Sequence, residues 1–264
     1  MKIIVAYDGT LHAKKALKYG IHKLLKTGGD MTVLQIFDSS LFVDYDAGPR
    51  AVELARAETA RQLEEAKKIV SENAPDMQAR FLADEGNALE KIAALVSADR
   101  PDLVLAPPRY KDLAASLSCP VTIVPGTILV PVDNTGSPAA NIDGIVHEAT
   151  ATGSKVLVLG VVPVHLYSRE ERKELERVRK ETASSVNELK RMLSAKGIDT
   201  LDAIRSGYPD EEILKAAGEH RVSLILLPSG STTPSELTKA AAILMDETEQ
   251  RKWPVFLLPY AEVR

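Results

Sequence analysis

Short apolar runs alternate with longer amphipathic stretches along the whole chain, and the alternation occurs twice. Residues 2–8 (Lys-Ile-Ile-Val-Ala-Tyr-Asp) read against residues 127–133 (Thr-Ile-Leu-Val-Pro-Val-Asp). Both are continuous apolar runs of the kind a strand buried on two faces needs, and both stop at an aspartate. A helical pattern follows each, over 11–26 and 138–152. Ser137-Pro138 offers the second of these a cap and a first-turn proline. Second strands are expected at 31–37 and 155–162. Long charged helices follow at about 51–73 and 169–195. In the latter, Leu175, Val178, Val186, Leu189 and Leu193 recur at helical spacing, so one face packs and the rest is solvated. Third strands near 77–83 and 200–204 lead into Gly86 and Gly207. Pro209 and the acids after it open another helix. Fourth strands fall at 103–106 and 224–227, and fifth strands at 121–124 and 255–258, each fifth strand flanked by prolines.

Strands alternating with helices at this spacing imply a parallel, doubly wound sheet in each half. The repeat is about 125 residues long, which divides the chain into 1–126 and 127–264. The junction, Pro125-Gly126-Thr127, is too short for a flexible tether, so the halves are expected to pack together.

Composition narrows the function classes. The 264 residues are 45% hydrophobic and 27% charged, an ordinary globular balance, and the formal net charge is -4. That charge gives no reason to expect nucleic acid or an anionic membrane as partner. The longest apolar run, residues 156–166, contains Gly160, Pro163 and His165 and is too short to cross a bilayer. The chain opens directly on a strand pattern without a signal peptide, and a cytoplasmic location is the default expectation. Cys119 is the only cysteine, so neither an intrachain disulfide nor a cysteine metal cluster can form. His12, His22, His147, His165 and His220 show no metal-ligand spacing. There is no G-x-S-x-G elbow, P-loop or G-x-G-x-x-G, and no catalytic constellation is expected.

Several of these segments are similar to those of one family. The strand ending at Asp133, the segment Gly207-Tyr-Pro-Asp-Glu-Glu-Ile-Leu214, Pro101-Asp-Leu-Val-Leu105 and Cys119-Pro-Val121 resemble universal stress proteins, and the order is found in both halves. The resemblance implies two five-stranded, Rossmann-like sheets with strand order 3-2-1-4-5, packed as an internal pseudo-dimer through antiparallel final strands. A further homodimer and an unidentified protein partner stay open. It implies a regulatory, non-catalytic stress-response role. The alternative is an adenine-nucleotide binder, with or without slow ATP hydrolysis.

In nucleotide-binding members the aspartate after the first strand and the two residues before it hold the nucleoside. A segment after the second strand touches the base, and a loop patterned Gly-x2-Gly-x9-Gly-[Ser/Thr] after the fourth cradles the phosphates. Neither half keeps those glycines. The first half reads Ala106-Pro107-Pro108-Arg109, where the prolines remove two N–H donors, and only 12 positions separate Pro107 from Cys119, against 25 from Pro228 to Trp253. Arg109 and Lys111 read as solvated charges. In the second half Pro228, Ser231, Ala241 and Ala242 stand at the motif positions. Yet Ser229, Gly230, Ser231, Thr232 and Thr233 could still form an anion nest. Against this, Thr233-Pro-Ser-Glu236 reads as a capping box with Thr233 as cap, and Glu236 would repel a phosphate. The candidate nucleotide residues are therefore Pro131, Val132, Asp133, Val161 and the loop 229–233, with ATP or AMP plus Mg as the ligand. Asp8 is expected to cap its own turn, whereas for Asp133 the binding and capping readings stay equally open.

Overall fold

The computed structural model describes residues 1–37, 49–134, 141–228, 235–246 and 254–258. The chain divides into two compact units, Met1–Pro125 and Gly126–Arg264. In the first, the continuous apolar run Lys2–Tyr7 becomes strand β1, followed by helix α1 (Leu11–Thr27), β2 (Asp30–Phe37), α2 (Pro49–Asn73), β3 (Ala79–Glu85), α3 (Ala88–Asp99) and β4 (Leu103–Ala106). A single 3-10 turn, Pro108–Tyr110, and a four-residue helix α4 (Leu113–Ser116) then lead to β5 (Val121–Ile123). All pairings are parallel and the sheet order is β3-β2-β1-β4-β5.

The two faces of this sheet are covered by different helices, as strand alternation requires. Ile4, Ala6, Leu34, Ile36, Val104 and Val121 pack with Ile92 and Val96 of α3 and Leu113 of α4. On the other face Gly20 of α1 lies against Val5, Met31 and Leu105. A Cβ there would come within 3.0 Å of Leu105, so the helix is seated directly on the sheet.

The second unit runs β6 (Thr127–Val132), α5 (Ile142–Thr152), β7 (Lys155–Val162), a 3-10 turn Val164–Leu166, α6 (Arg172–Ala195), β8 (Thr200–Ser206), α7 (Pro209–Glu219), β9 (Leu224–Pro228), α8 (Glu236–Asp246) and β10 (Val255–Leu258). Leu129, Leu157, Leu159 and Ile225 face Ile213 of α7 and Leu237 and Leu244 of α8. Ile128, Val130, Val156 and Val158 face Ile145 of α5 and Val186, Leu189 and Leu193 of α6. At about 1.5–3 kcal/mol per fully buried large aliphatic side chain, these two layers hold the unit together. Gly160 marks the closest helix approach: a Cβ there would lie 2.8 Å from Val186 and 2.9 Å from Thr182.

The second sheet corrects the expectation of two equal five-stranded sheets. Its body is four-stranded, β8-β7-β6-β9. Strand β10 adds only an edge ladder to β9, from Val255↔Ile225 to Leu258↔Pro228. A four-residue strand with one neighbour gains pairing on one side only. The stretches on either side of it, 247–253 and 259–264, lie outside the described residues, as do Ser137 and Pro138. Helix α5 is capped by position at Asn141 and closes on Gly153 in the left-handed region, φ 66°.

Candidate functional site

In an open α/β sheet, ligands bind where strand order reverses, at the carboxyl ends of the strands. That point lies between β1 and β4 in the first unit and between β6 and β9 in the second.

In the first unit the protein's own side chains occupy this point. Asp8 follows β1 with its carboxylate only 4% exposed. The Thr10 N–H and hydroxyl both donate to Asp8 Oδ1, at 3.0 and 2.6 Å, while Thr10 Oγ1 accepts from the Ala13 N–H and so caps α1. The other carboxylate oxygen accepts from Arg109 Nη1 at 3.3 Å. Arg109 follows β4 on the Pro108–Tyr110 turn, so this ion pair bridges the two strands that flank the switch point. Its guanidinium carbon also lies 4.7 Å from the centre of the Tyr110 ring. Arg109 is thus an exposed charge on a short turn, as expected, and is also engaged with Asp8.

Behind this pair sit Tyr7 and Gln35, register partners on β1 and β2. Gln35 donates to Gln62 Oε1 at 2.7 Å, while the buried Tyr7 hydroxyl and Gln35 Oε1 have no hydrogen-bond partner among the described residues. Burial, helped by Glu65 and Asp8, drives the Tyr7 phenol well above its ordinary range. Gly9, at φ +73°, holds the turn against the Gln62 side chain, 2.5 Å from where a Cβ would stand.

In the second unit the ladder between the two flanking strands is one register pair shorter than in the first. The β6–β9 ladder is recorded at Ile128↔Leu224 and Leu129↔Ile225, whereas β6 continues along β7 to Val132↔Gly160 and β9 continues along β10 to Pro228. Pro131 has no N–H to donate to a neighbouring strand. Pro131, Val132 and the partly buried Asp133 follow at the carboxyl end of β6, beyond the last recorded pair with β9. Asn134 donates to Glu181 Oε2 of α6 at 3.0 Å.

Val161, the candidate for the base contact, is the penultimate residue of β7. It lies inside β7, 1% exposed, in the core with α7 and α8, so its side chain is committed to packing. Ala241, counted at a glycine position, sits inside α8 and in the same core. Ser229, Gly230, Ser231, Thr232 and Thr233 lie outside the described residues.

The start of α8 corrects a second expectation. The cap is Ser235, not Thr233: Ser235 Oγ accepts from the Thr238 N–H at 3.2 Å and lies 3.1 Å from the Thr238 hydroxyl. Glu236 is the first helical residue. Its Oε1 accepts from Lys239 Nζ at 2.6 Å and its Oε2 lies 3.5 Å from His165 Nε2. These partners, Lys239 first, hold the Glu236 carboxyl below the usual carboxylate range. The His165 ring in turn stacks on Tyr208, the residue before α7, with centroids 4.2 Å apart and planes 22° apart. The reading by spacing did not join His165 to this site, because its partners are far away in sequence. Its place just after β7 is the one signal that could have done so.

The sequence profile of the universal stress protein family matches residues 1–115 and again 126–240. The chain belongs to the universal stress protein family. It carries two of the family's domains in tandem. Among solved structures, it is similar to a universal stress protein from Archaeoglobus fulgidus DSM 4304, with 16% identity over 100% of this chain and 97% of that one, at a TM-score of 0.40. The universal stress protein UspA from Lactobacillus plantarum matches at 18% identity over 52% of this chain and 99% of its own, TM-score 0.43. The universal stress protein from Archaeoglobus fulgidus in complex with dAMP matches at 16% identity over 52% of this chain and 100% of its own, TM-score 0.34. No curated protein sequence matches the chain significantly. Among the described residues, no group of three or more His, Cys, Asp or Glu side chains could hold a metal ion, and no helix is long and apolar enough to cross a membrane.

Proposed function

We propose that this tandem universal stress protein is a regulatory, non-catalytic protein of the stress response, acting in the cytoplasm through a protein partner. The observation that carries this reading is the Asp8–Arg109 pair. The carboxylate positioned to meet a ligand in the first repeat is spent on Thr10 and Arg109, across the mouth itself. The second repeat points the same way, since Glu236 presents a carboxylate where the first turn of α8 would otherwise attract a phosphate.

One observation favours a second reading, a residual adenine-nucleotide site in repeat 2. The β6–β9 ladder ends at Leu129↔Ile225, with Pro131, Val132 and Asp133 beyond it, and α8 keeps 11 residues where α4 has four. ATP or AMP with Mg would sit between Asp133 and residues 229–233. With Pro228 lacking an N–H and Glu236 opposing the phosphates, affinity should be modest. Thermal unfolding of the full chain with and without Mg-ATP separates the readings. A shift that Asp133→Ala removes supports the nucleotide site. A shift that survives Asp133→Ala places the ligand elsewhere. The absence of any shift at millimolar Mg-ATP leaves the regulatory, nucleotide-free reading.

A further inference from the structure

The two repeats also differ at the amino ends of their strands. In the second, the register row Leu129, Leu157 and Leu201 crosses β6, β7 and β8. Leu129 and Leu157 are fully buried in one cluster with Ala216 and Ala217 of α7. The same row of the first repeat reads Ile4, Thr32 and Arg80, on β1, β2 and β3. Ile4 is 2% exposed and packs in the cluster of α3, but Thr32 is only half-buried and Arg80 is exposed. One pair back from Ile4 and Thr32 by strand alternation, Lys2 and Asp30 are partners across β1 and β2, where the second repeat has Thr127 and Lys155. Alternation along each strand puts all five side chains of the first repeat on one face. A row that is apolar and covered in one repeat is therefore polar and reachable in the other.

These residues line a crevice of about 680 Å³ in the first unit. Ligand sites commonly measure about 300–1,000 Å³. Ile4 and the half-buried Met77 give it apolar surface. Two of its charges are committed, since Arg80 pairs with Asp99, the last residue of α3. Lys2 and Asp30 differ. The Lys2 N–H donates to Asp102 Oδ2 at 2.6 Å and the Asp30 N–H to the Met1 carbonyl at 3.0 Å, so both backbones are held. Yet among the described residues neither the Lys2 ammonium, the Asp30 carboxylate nor the Thr32 hydroxyl has a partner, and the two charges do not pair with each other. A ligand of one charge would meet its opposite and its like about one strand spacing apart, roughly 4.8 Å. A zwitterion satisfies both.

We propose that this crevice binds a free apolar α-amino acid, with its carboxylate on Lys2, its ammonium on Asp30 and its side chain along Ile4 and Met77. An ammonium and a carboxylate carried on one carbon lie close enough together to meet two groups on neighbouring strands. The Thr32 hydroxyl, on the same face, can donate to the carboxylate or accept from the ammonium. The site is independent of the nucleotide reading, since it lies in the other repeat and away from the carboxyl ends of the strands. It gives the regulatory role a small-molecule signal.

The test uses the full-length chain and the common L-amino acids as probes, added singly at millimolar concentration. The thermal midpoint is read first, and any amino acid that raises it is titrated by calorimetry. An apolar amino acid should raise the midpoint, because a ligand that binds only the folded state stabilises it. Its N-acetyl amide, with the same side chain and neither charge, should not. Lys2→Gln and Asp30→Asn should each weaken binding by roughly tenfold or more, as for the loss of a hydrogen bond to a charged group. Lys2→Arg should retain it. Thr32→Leu, which copies the residue that the second repeat carries at this register position, should abolish binding by filling the crevice. If no amino acid raises the midpoint, the proposal is overturned. Binding that survives both Lys2→Gln and Asp30→Asn overturns it as well, because the ligand then sits elsewhere. Neither result alters the Mg-ATP experiment, which reads the second repeat.

Discussion

Two aspartates end equivalent strands, and at Asp8 the outcome follows from its neighbours. The Asp8-Gly-Thr10 turn was legible in sequence, because an aspartate before Gly-Thr bonds its own backbone two residues on. The Arg109 contact was not, since 101 positions separate the partners and spacing carries no signal over that range. Cys119 shows the same limit for reactivity. As the first residue of a Cys-Pro pair it read as a structural thiol. The structure buries it to 8% exposure among Tyr110, Leu113 and Val121, and burial pushes the thiol up to about 11. Because the folded value is raised, this group supports the fold fully below its unfolded value near 9, and that support is lost as pH rises through about 11. With no other cysteine in the chain, a thiol reagent reads this site alone. At pH 8 the native protein should react at least roughly tenfold more slowly than the protein in denaturant, since only exposed thiolate attacks. Equal rates would mean that Cys119 is not buried.

Most elements could be read from the apolar runs, because a strand buried on both faces writes itself as a continuous run whose ends are visible. The same continuity hides which face a residue takes. Val161 belongs to such a run, so no alternation told that its side chain points into the core. Helix starts were less legible where hydroxyls crowd together. Both Thr233 and Ser235 stand before the apolar face of α8, and the Thr-x-x-Glu pattern favoured the first. The helix instead begins at Glu236, where Ser235 finds the Thr238 N–H and Glu236 finds Lys239 three residues on. Ser235→Ala should therefore cost about 1 kcal/mol of stability, and Thr233→Ala less than about 0.5 kcal/mol. Denaturant unfolding of the two variants checks the order. A larger loss for Thr233→Ala would restore the capping box that the sequence suggested.

At the scale of the whole molecule, a duplicated sequence has produced two unequal repeats, and the inequality lies at the strand ends. The first repeat fills its switch point with Asp8, Thr10 and Arg109, buries Tyr7 and Gln35 behind them, and follows β4 with only a 3-10 turn and a four-residue helix. The second has Val132 and Gly160 at the positions of Tyr7 and Gln35, a half-buried Asp133, and a full helix after β9. The deletion after β4 was countable in the sequence, and so was the lost pair of N–H donors. The internal ion pair that completes the closure needed coordinates. If nucleotide binds at all, the asymmetry requires one site per chain. Calorimetric titration of the full chain with Mg-ATP should therefore give a stoichiometry near one. Asp133→Ala should weaken binding by roughly ten- to a hundredfold, as expected for losing a hydrogen bond to a charged group worth about 1.5–3 kcal/mol. Asp8→Ala should leave binding unchanged, since it frees Arg109 without supplying the donors that Pro107 and Pro108 lack. A stoichiometry of two, or loss of binding in Asp8→Ala, would show that the first repeat is a working site and that its Asp8–Arg109 bridge opens.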